Sequence, residues 1–349
     1  MRHTRHGAIS VLVVLALALA GCGPVGPGGS ATGRPPTSRS LQSFRIALDY
    51  TANVDYLGIY AAEANGYFAQ QGIRPVVLPY SGASAEELLQ AHKTDLGLTY
   101  PPSIPANRAS GLDYEAVAGL SQVNTIAIAV LASSPYRSVA QLSGTLYGGF
   151  GVPSDKPILL DVFRKAGVVH PVYREVDLGT DAYQALAARR VAYSIVYGGI
   201  DDVTARLSGV RLREFPIKDY LGGAFSFPDD AFVALDAEVA AHRALFRHAM
   251  AALAEGYEFA AHHPAAAERA LVEYNRTALA HSANIVTATG NATARTFLTS
   301  GGAWGAMKAS DFAGLTRILV DGGLVPASKA PPPASDYTNS LLPDRPLVK

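Results

Sequence analysis

The sequence predicts an α/β protein of two lobes, each built on a largely parallel sheet, with a ligand cleft between them. Three observations carry this. Strand and helix signals alternate through residues 44–100, and they alternate again from about residue 138. The two runs also close alike, each on a helix, a basic turn (Lys93 in one, Arg189-Arg190 in the other), a strand and a tyrosine, Tyr100 and Tyr197.

Phe44-Arg45-Ile46-Ala47-Leu48 alternates toward a strand, and residues 58–68 space apolar side chains at the helical repeat before Gly72 stops the run. Residues 75–78 predict a second strand, 84–91 an amphipathic helix, and 96–100 a buried strand ended by Pro101-Pro102. Strands joined through helices pair in parallel, with helices on both faces and ligands at the strands' carboxyl ends. In the second run Leu146-Tyr147 leads through Gly148-Gly149-Phe150-Gly151-Val152-Pro153 into a helix over 154–166, which Gly167 ends. A strand over 172–176, a helix over 181–190 and a strand over 193–197 follow. Residues 125–132 and 231–235 are apolar and suit hinge strands crossing between lobes. Helices over 237–262, 264–274, 291–299 and 310–321 are expected to return to the first lobe, and of the Pro-rich end only 337–343 is apt to dock. The expected division is a discontinuous first lobe, 44–131 with 236–343, a second lobe, 132–235, and a tail, 344–349.

Ahead of this body, Arg2, His3, Arg5 and His6 precede an apolar run over 8–20 that is shorter than the roughly 20 residues needed to span a bilayer. That is a signal-peptide pattern. Its end, Leu19-Ala20-Gly21-Cys22, resembles the bacterial lipobox, which implies cleavage and lipidation of Cys22 and an anchor on the extracytoplasmic face of the cell membrane. Residues 1–22 are therefore expected to be processed, and the Gly-, Pro-, Ser- and Thr-rich stretch 23–43 to act as a tether. Cys22 is the single cysteine, so an internal disulfide and a thiolate metal cluster are both excluded. A formal net charge of zero with no basic stripe argues against nucleic acid as a partner. The histidines are scattered without acidic partners, so no metal site is expected, and no cofactor. Gly148-Gly149-Phe150-Gly151 lacks the Gly-Lys-Ser of a phosphate loop, and no Gly-x-Ser-x-Gly elbow suggests a hydrolase.

Leu48-Asp49-Tyr50-Thr51-Ala52-Asn53, Gly58-Ile59-Tyr60-Ala61-Ala62, Gly66-Tyr67-Phe68 and Gln71-Gly72-Ile73 together resemble the opening of the thiamine-pyrimidine-precursor-binding proteins. Asp95-Leu96-Gly97-Leu98, Gln141-Leu142-Ser143-Gly144, Gly149 with Gly151 and Pro153, and Tyr337-Thr338-Asn339 extend the match. The resemblance implies a type II periplasmic-binding-protein fold whose lobes close on a small molecule. It also implies permease and ATPase subunits of an ABC importer as partners, and a monomer. Ligands in that family are aminopyrimidine precursors of thiamine, with riboflavin in related members; sulfonate-, taurine- and nitrate-binding proteins are more distant kin. One relative is an enzyme of pyrimidine biosynthesis that uses pyridoxal phosphate on a lysine and consumes its own histidine. The matching positions here hold Thr99 and Ser103, which argues against a Schiff base and against an enzyme.

The loops after the predicted strands hold the candidate ligand contacts: Asp49, Tyr50, Asn53, Asp55, Tyr56, Ser81, Tyr100, Phe150, Ser154, Asp155, Tyr197 and Asp202. Tyrosine and phenylalanine faces can sandwich a flat heterocycle while carboxylates and an asparagine accept from its N–H groups. An anion would call for Arg, Lys or an acid-free helix N-terminus, and these loops hold little cationic charge. Each position has a plainer alternative: strand-end packing for Tyr50, Tyr100 and Tyr197, an N-cap for Ser154 with Asp155, and a helix cap for Asp202 beside Asp201.

Overall fold

The computed structural model describes residues 40–344. Cys22, the signal segment and most of the expected tether lie outside the described residues. Ten strands form two five-stranded sheets. The first is built from β1 (Gln42–Ala47), β2 (Ile73–Leu78), β3 (Leu96–Thr99), β4 (Tyr114–Gly119) and β10 (Ala231–Leu235), in the order β2-β1-β3-β10-β4. The second is built from β5 (Ile126–Leu131), β6 (Tyr147–Gly149), β7 (Glu175–Asp177), β8 (Tyr193–Tyr197) and β9 (Leu212–Pro216), in the order β7-β6-β8-β5-β9. The two orders are equivalent. In each, three parallel strands meet one reversed strand, β10 against β3 and β4 or β5 against β8 and β9.

The reversed strands correct the expected lobe boundaries. β5 belongs to the second sheet, although residues 125–131 are expected in the first lobe; β10 belongs to the first, although 231–235 are expected in the second. Neither is the hinge. β5 is buried along its whole length and β10 nearly so, because each lies inside a sheet. The crossings are the short segments 120–125 and 227–230, clipped side by side. Leu120 N donates to Asp230 O (2.8 Å), Asn124 Nδ2 to Phe227 O (3.0 Å), and Thr125 N and Oγ1 to the two Asp229 carboxylate oxygens (2.8 and 2.6 Å). Asp229 N in turn donates to Ser121 Oγ (2.9 Å).

Side-chain volume decides how the first lobe closes over its sheet. Phe44, Ile46 and Phe232 project into a buried cluster with Tyr257 and Trp304, whose rings stack at 4.7 Å and 2°. Trp304 Nε1 is satisfied by Leu120 O at 3.0 Å, as a buried indole N–H requires. Tyr257 rides on the helix Arg243–His262, which crosses the helix Leu57–Ala64 closely enough that a Cβ on Gly256 would stand 2.1 Å from Gly58 O. Only glycine fits there.

Several helices differ from expectation. The predicted helix over 237–262 breaks at His242 into Asp236–Ala241 and Arg243–His262, and the one expected over 291–299 lies at Ala283–Ala294. The helix Ala309–Asp321 does not simply return to the first lobe. Its Phe312 packs beside Met307 and Ala116, while Leu315 and Ile318 enter the second lobe's core with Phe225 and Phe227. The docking segment is found where expected: Tyr337 stacks on Phe312 at 5.3 Å, Thr338 N donates to Ala116 O, and Leu341 is buried.

Candidate functional site

The residues that end or follow β1, β3, β6 and β8 line one cavity of about 750 Å³ between the two sheets. β1 delivers Asp49 and Tyr50. The chain then turns on Asn53, whose Oδ1 accepts from Asp55 N (2.7 Å) to cap the turn Val54–Tyr56 that leads into the helix Leu57–Ala64. Tyr56, buried in the core, sends its Oη back to Asp49 Oδ1 at 3.0 Å. β3 delivers Thr99 and Tyr100, β6 delivers Phe150, and β8 ends on Tyr197. Gly151 holds a φ of 94°, a left-handed conformation that lets the chain reverse directly behind Phe150.

Ten of the twelve expected contact residues line this cavity: Asp49, Tyr50, Asn53, Asp55, Tyr56, Tyr100, Phe150, Ser154, Asp155 and Tyr197. Ser81 does not; it is exposed, between the lining residues Tyr80 and Gly82. Asp202 does not either. Its carboxylate accepts from Gly199 N (2.6 Å) and pairs with Arg206 (2.6 Å), tying down the turn before the helix Asp201–Leu207 without capping it, while its neighbour Asp201 lines the cavity and accepts from Tyr197 N (2.8 Å). The N-cap alternative for Ser154 and Asp155 fails. Ser154 makes no capping bond, and its hydroxyl is buried without a partner; Asp155 accepts from Tyr147 Oη at 2.7 Å.

Tyr80, Glu86, Thr99, Tyr147, Tyr183 and Asp230 also line the cavity and were missed. Glu86 sits in the first turn of the helix Ala85–Gln90 and accepts from Thr99 Oγ1 at 2.6 Å. The Ser84 capping box marked that helix start in the sequence, but not which face would meet the cleft. Asp230 comes from the second crossing segment, and no local signal pointed to it.

Three rings close the mouth. Tyr50 and Tyr80 lie 6.5 Å apart and nearly parallel at 21°, and Phe150 of the second lobe stands 5.7 and 6.1 Å from them. Tyr50 Oη also donates to Thr180 O across the lobes at 3.3 Å. The lining is acidic. Asp49, Asp55, Glu86, Glu87, Asp155, Asp201 and Asp230 line the cavity with no Lys, Arg or His among them. Burial pushes Asp155 up to about 7 and Asp49 and Asp201 to about 6. Burial, reinforced by neighbouring carboxylates, holds Asp55 and Asp230 well above the usual carboxylate range. Among the described residues no group of His, Cys, Asp or Glu is arranged to hold a metal ion, and no helix is long and apolar enough to cross a membrane.

Curated relatives include a formylaminopyrimidine-binding protein from Halalkalibacterium halodurans, 26% identical over 54% of this chain and 54% of its own length. A riboflavin-binding protein from Chloroflexus aurantiacus is 26% identical over 61% of this chain and 63% of its own. The chain thus spans little more than half the length of the curated relatives it matches. Among solved structures, an alkanesulfonate-binding protein from Xanthomonas axonopodis pv. citri, bound to MOPS, superposes with a TM-score of 0.64 at 17% identity, covering 85% of this chain and 98% of that one. A periplasmic nitrate-binding protein from Synechocystis PCC 6803 gives 0.62 at 13%, covering 88% and 92%. These likenesses establish the periplasmic-binding-protein fold expected above. The resemblance read from residues 48–73 is borne out as well, because the profile described as NMT1/THI5 like matches residues 53–267, more than half of the sequence, and the chain belongs to the NMT1/THI5-like family.

Proposed function

We propose that this chain is the solute-binding subunit of an ABC importer, anchored through Cys22 outside the membrane, and that it captures a flat nitrogen heterocycle of the thiamine-pyrimidine-precursor class. The observation that carries this reading is the make-up of the cavity, aromatic rings and seven carboxylates without one cationic side chain. A pyrimidine ring lies against Tyr or Phe faces while its ring and exocyclic N–H groups donate to carboxylates. A sulfonate or nitrate would meet only like charge there. The relatives named for formylaminopyrimidine and riboflavin support the same ring chemistry. The volume, about 750 Å³, also favours a second reading within that chemistry, a larger ring system such as a flavin.

The mechanism is capture by closure. Tyr50 and Tyr80 from one lobe meet Phe150 and Thr180 from the other, so these contacts form only as the lobes come together. A ligand touching both lobes stabilises the closed state by its differential contacts, and a permease then recognises that state. No covalent step is needed, and Thr99, at the position matching the synthase lysine, donates its hydroxyl to Glu86. A thermal-shift screen tests the reading with pyrimidine precursors, riboflavin, taurine, alkanesulfonates and nitrate. A ligand at a hundredfold its Kd adds about 2.7 kcal/mol. Stabilisation by a pyrimidine or flavin, abolished in Tyr197→Ala, supports it; stabilisation by the anions alone overturns the ligand class.

A further inference from the structure

Asp230 is 7% exposed and lines the cavity, and its carboxylate receives no hydrogen bond from any described residue. Asp55 beside it is half-buried and also lacks a partner for its acid group: its backbone N–H donates to Asn53 and its carbonyl accepts from Tyr257 Oη, while its carboxylate accepts nothing. Asp49 accepts from Tyr56 Oη and from its own backbone N–H, with no cationic partner. The neighbouring Asp229, by contrast, has both oxygens held by Thr125, with Lys218 near. Three carboxylates thus share the cavity lining under-satisfied, close enough to raise one another's proton affinity, yet not arranged around a metal position. The phenols packed against them, Tyr56 and Tyr257, supply no positive charge. A buried carboxylate without a counter-charge is costly, and a cluster of them more so.

We infer that the ligand carries a positively charged nitrogen and sets it over Asp49, Asp55 and Asp230, with its ring plane against Tyr50, Tyr80 and Phe150. This rests on the proposed capture of a heterocycle and deepens it by assigning the ligand's charge. A neutral heterocycle could donate N–H groups to these oxygens but would supply no counter-charge. A cation supplies one and favours their ionised form. The ring cluster at the mouth points the same way, since aromatic faces attract cations, most strongly where water is excluded. The chemical class is a protonated amino arm on an aminopyrimidine or a quaternised ring nitrogen.

The test compares ligands that differ in charge and little else, by calorimetric titration of the full-length chain at pH 7.5. One set is 4-amino-2-methylpyrimidine carrying an aminomethyl arm, which is protonated, against the same ring with formylaminomethyl and hydroxymethyl arms. The other is N1-methylnicotinamide against nicotinamide. The charged member of at least one set is expected to bind ten or more times tighter, with the ratio falling below about three in Asp230→Asn of unchanged melting temperature. A charge preference retained in Asp230→Asn, equal or tighter binding of the neutral members, or binding of none overturns the inference. A charge preference in the nicotinamide pair with no binding of any pyrimidine overturns the pyrimidine reading and leaves this one standing. Tight binding of a neutral pyrimidine with no gain from the charged arm does the reverse.

Discussion

Replacing Asp229 by Ala probes the joint between the lobes without touching the cavity, because Asp229 is not among its lining residues. Asp229 is 7% exposed, and its carboxylate accepts two short hydrogen bonds, from Thr125 N (2.8 Å) and Thr125 Oγ1 (2.6 Å). Truncation leaves both donors without an acceptor, at about 1–3 kcal/mol for each that stays buried. Thr125 is only partly buried and its hydroxyl can turn to water, so the net loss is about 2–4 kcal/mol. For a chain of this size that lowers Tm by about 4–10 °C. Asp229→Asn keeps one accepting oxygen and is expected to lose about 1 kcal/mol. Calorimetric melting at pH 7.5 without ligand gives the comparison. If Asp229→Ala melts within about 1 °C of the parent, or no lower than Asp229→Asn, the Asp229–Thr125 clip does not hold the crossing segments. Weakened ligand binding in the same variants would report the hinge, since the lining side chains are untouched.

Gly256→Ala drives a Cβ to 2.1 Å from Gly58 O and should cost at least about 1–3 kcal/mol by denaturant melting, whereas Gly223→Ala meets nothing within 4 Å and should be close to neutral; equal effects would show that the helix crossing is not tight. Tyr50→Phe removes the bond to Thr180 O across the mouth and should weaken ligand binding by about 0.5–1.5 kcal/mol, two- to tenfold, with little change in the unliganded Tm. An unchanged Kd would remove this bond from the closing contacts. Burial raises Asp155 to about 7 and Asp49, Asp201 and Asp229 to about 6, above the value near 4 of an unfolded carboxyl. Between those values the folded chain binds more protons than the unfolded one, so stability falls as pH rises from about 4 through 7. The unliganded protein should therefore melt higher at pH 5 than at pH 8, and the opposite order would refute the burial of these groups.

Local chemistry made most of the strand-end loops legible. The period-two run at Phe44, the Pro101-Pro102 stop after Tyr100, and the Gly-rich turn around Phe150 each specify a conformation through residues adjacent in sequence, so the loops at the carboxyl ends of β1, β3 and β6 could be read directly. Asp202 and Ser81 show where that reading thins. A turn motif announces that an acid or hydroxyl stands near a helix start, but whether it ties down the turn or lines the cleft depends on one residue of rotation, and here Asp201 lines the cleft while Asp202 holds Gly199 N and Arg206. β9 escaped notice because Leu212–Pro216 is only half-buried along its length, and β4 because Ala116, Ala118 and Gly119 give a buried strand little apolar signal.

What the sequence determined by itself was the alternation of elements, the repeat of one arrangement in two lobes, and a cleft rich in rings and acids. The partnering of distant segments was decided only by the tertiary structure. β5 and β10 read as apolar runs, and an apolar run has no means of saying which sheet will bury it; β10 fills the reversed place in a sheet otherwise built from residues 42–119, and β5 the reversed place in the sheet built from the chain that follows it. The same exchange carries residues 227–230 back beside 120–125 and brings Asp230 to the cavity lining beside Asp49 and Asp55, which are some 175 residues earlier in the chain. The composition of that lining is a consequence of sheet pairing, which is long-range and set by burial rather than by local propensity.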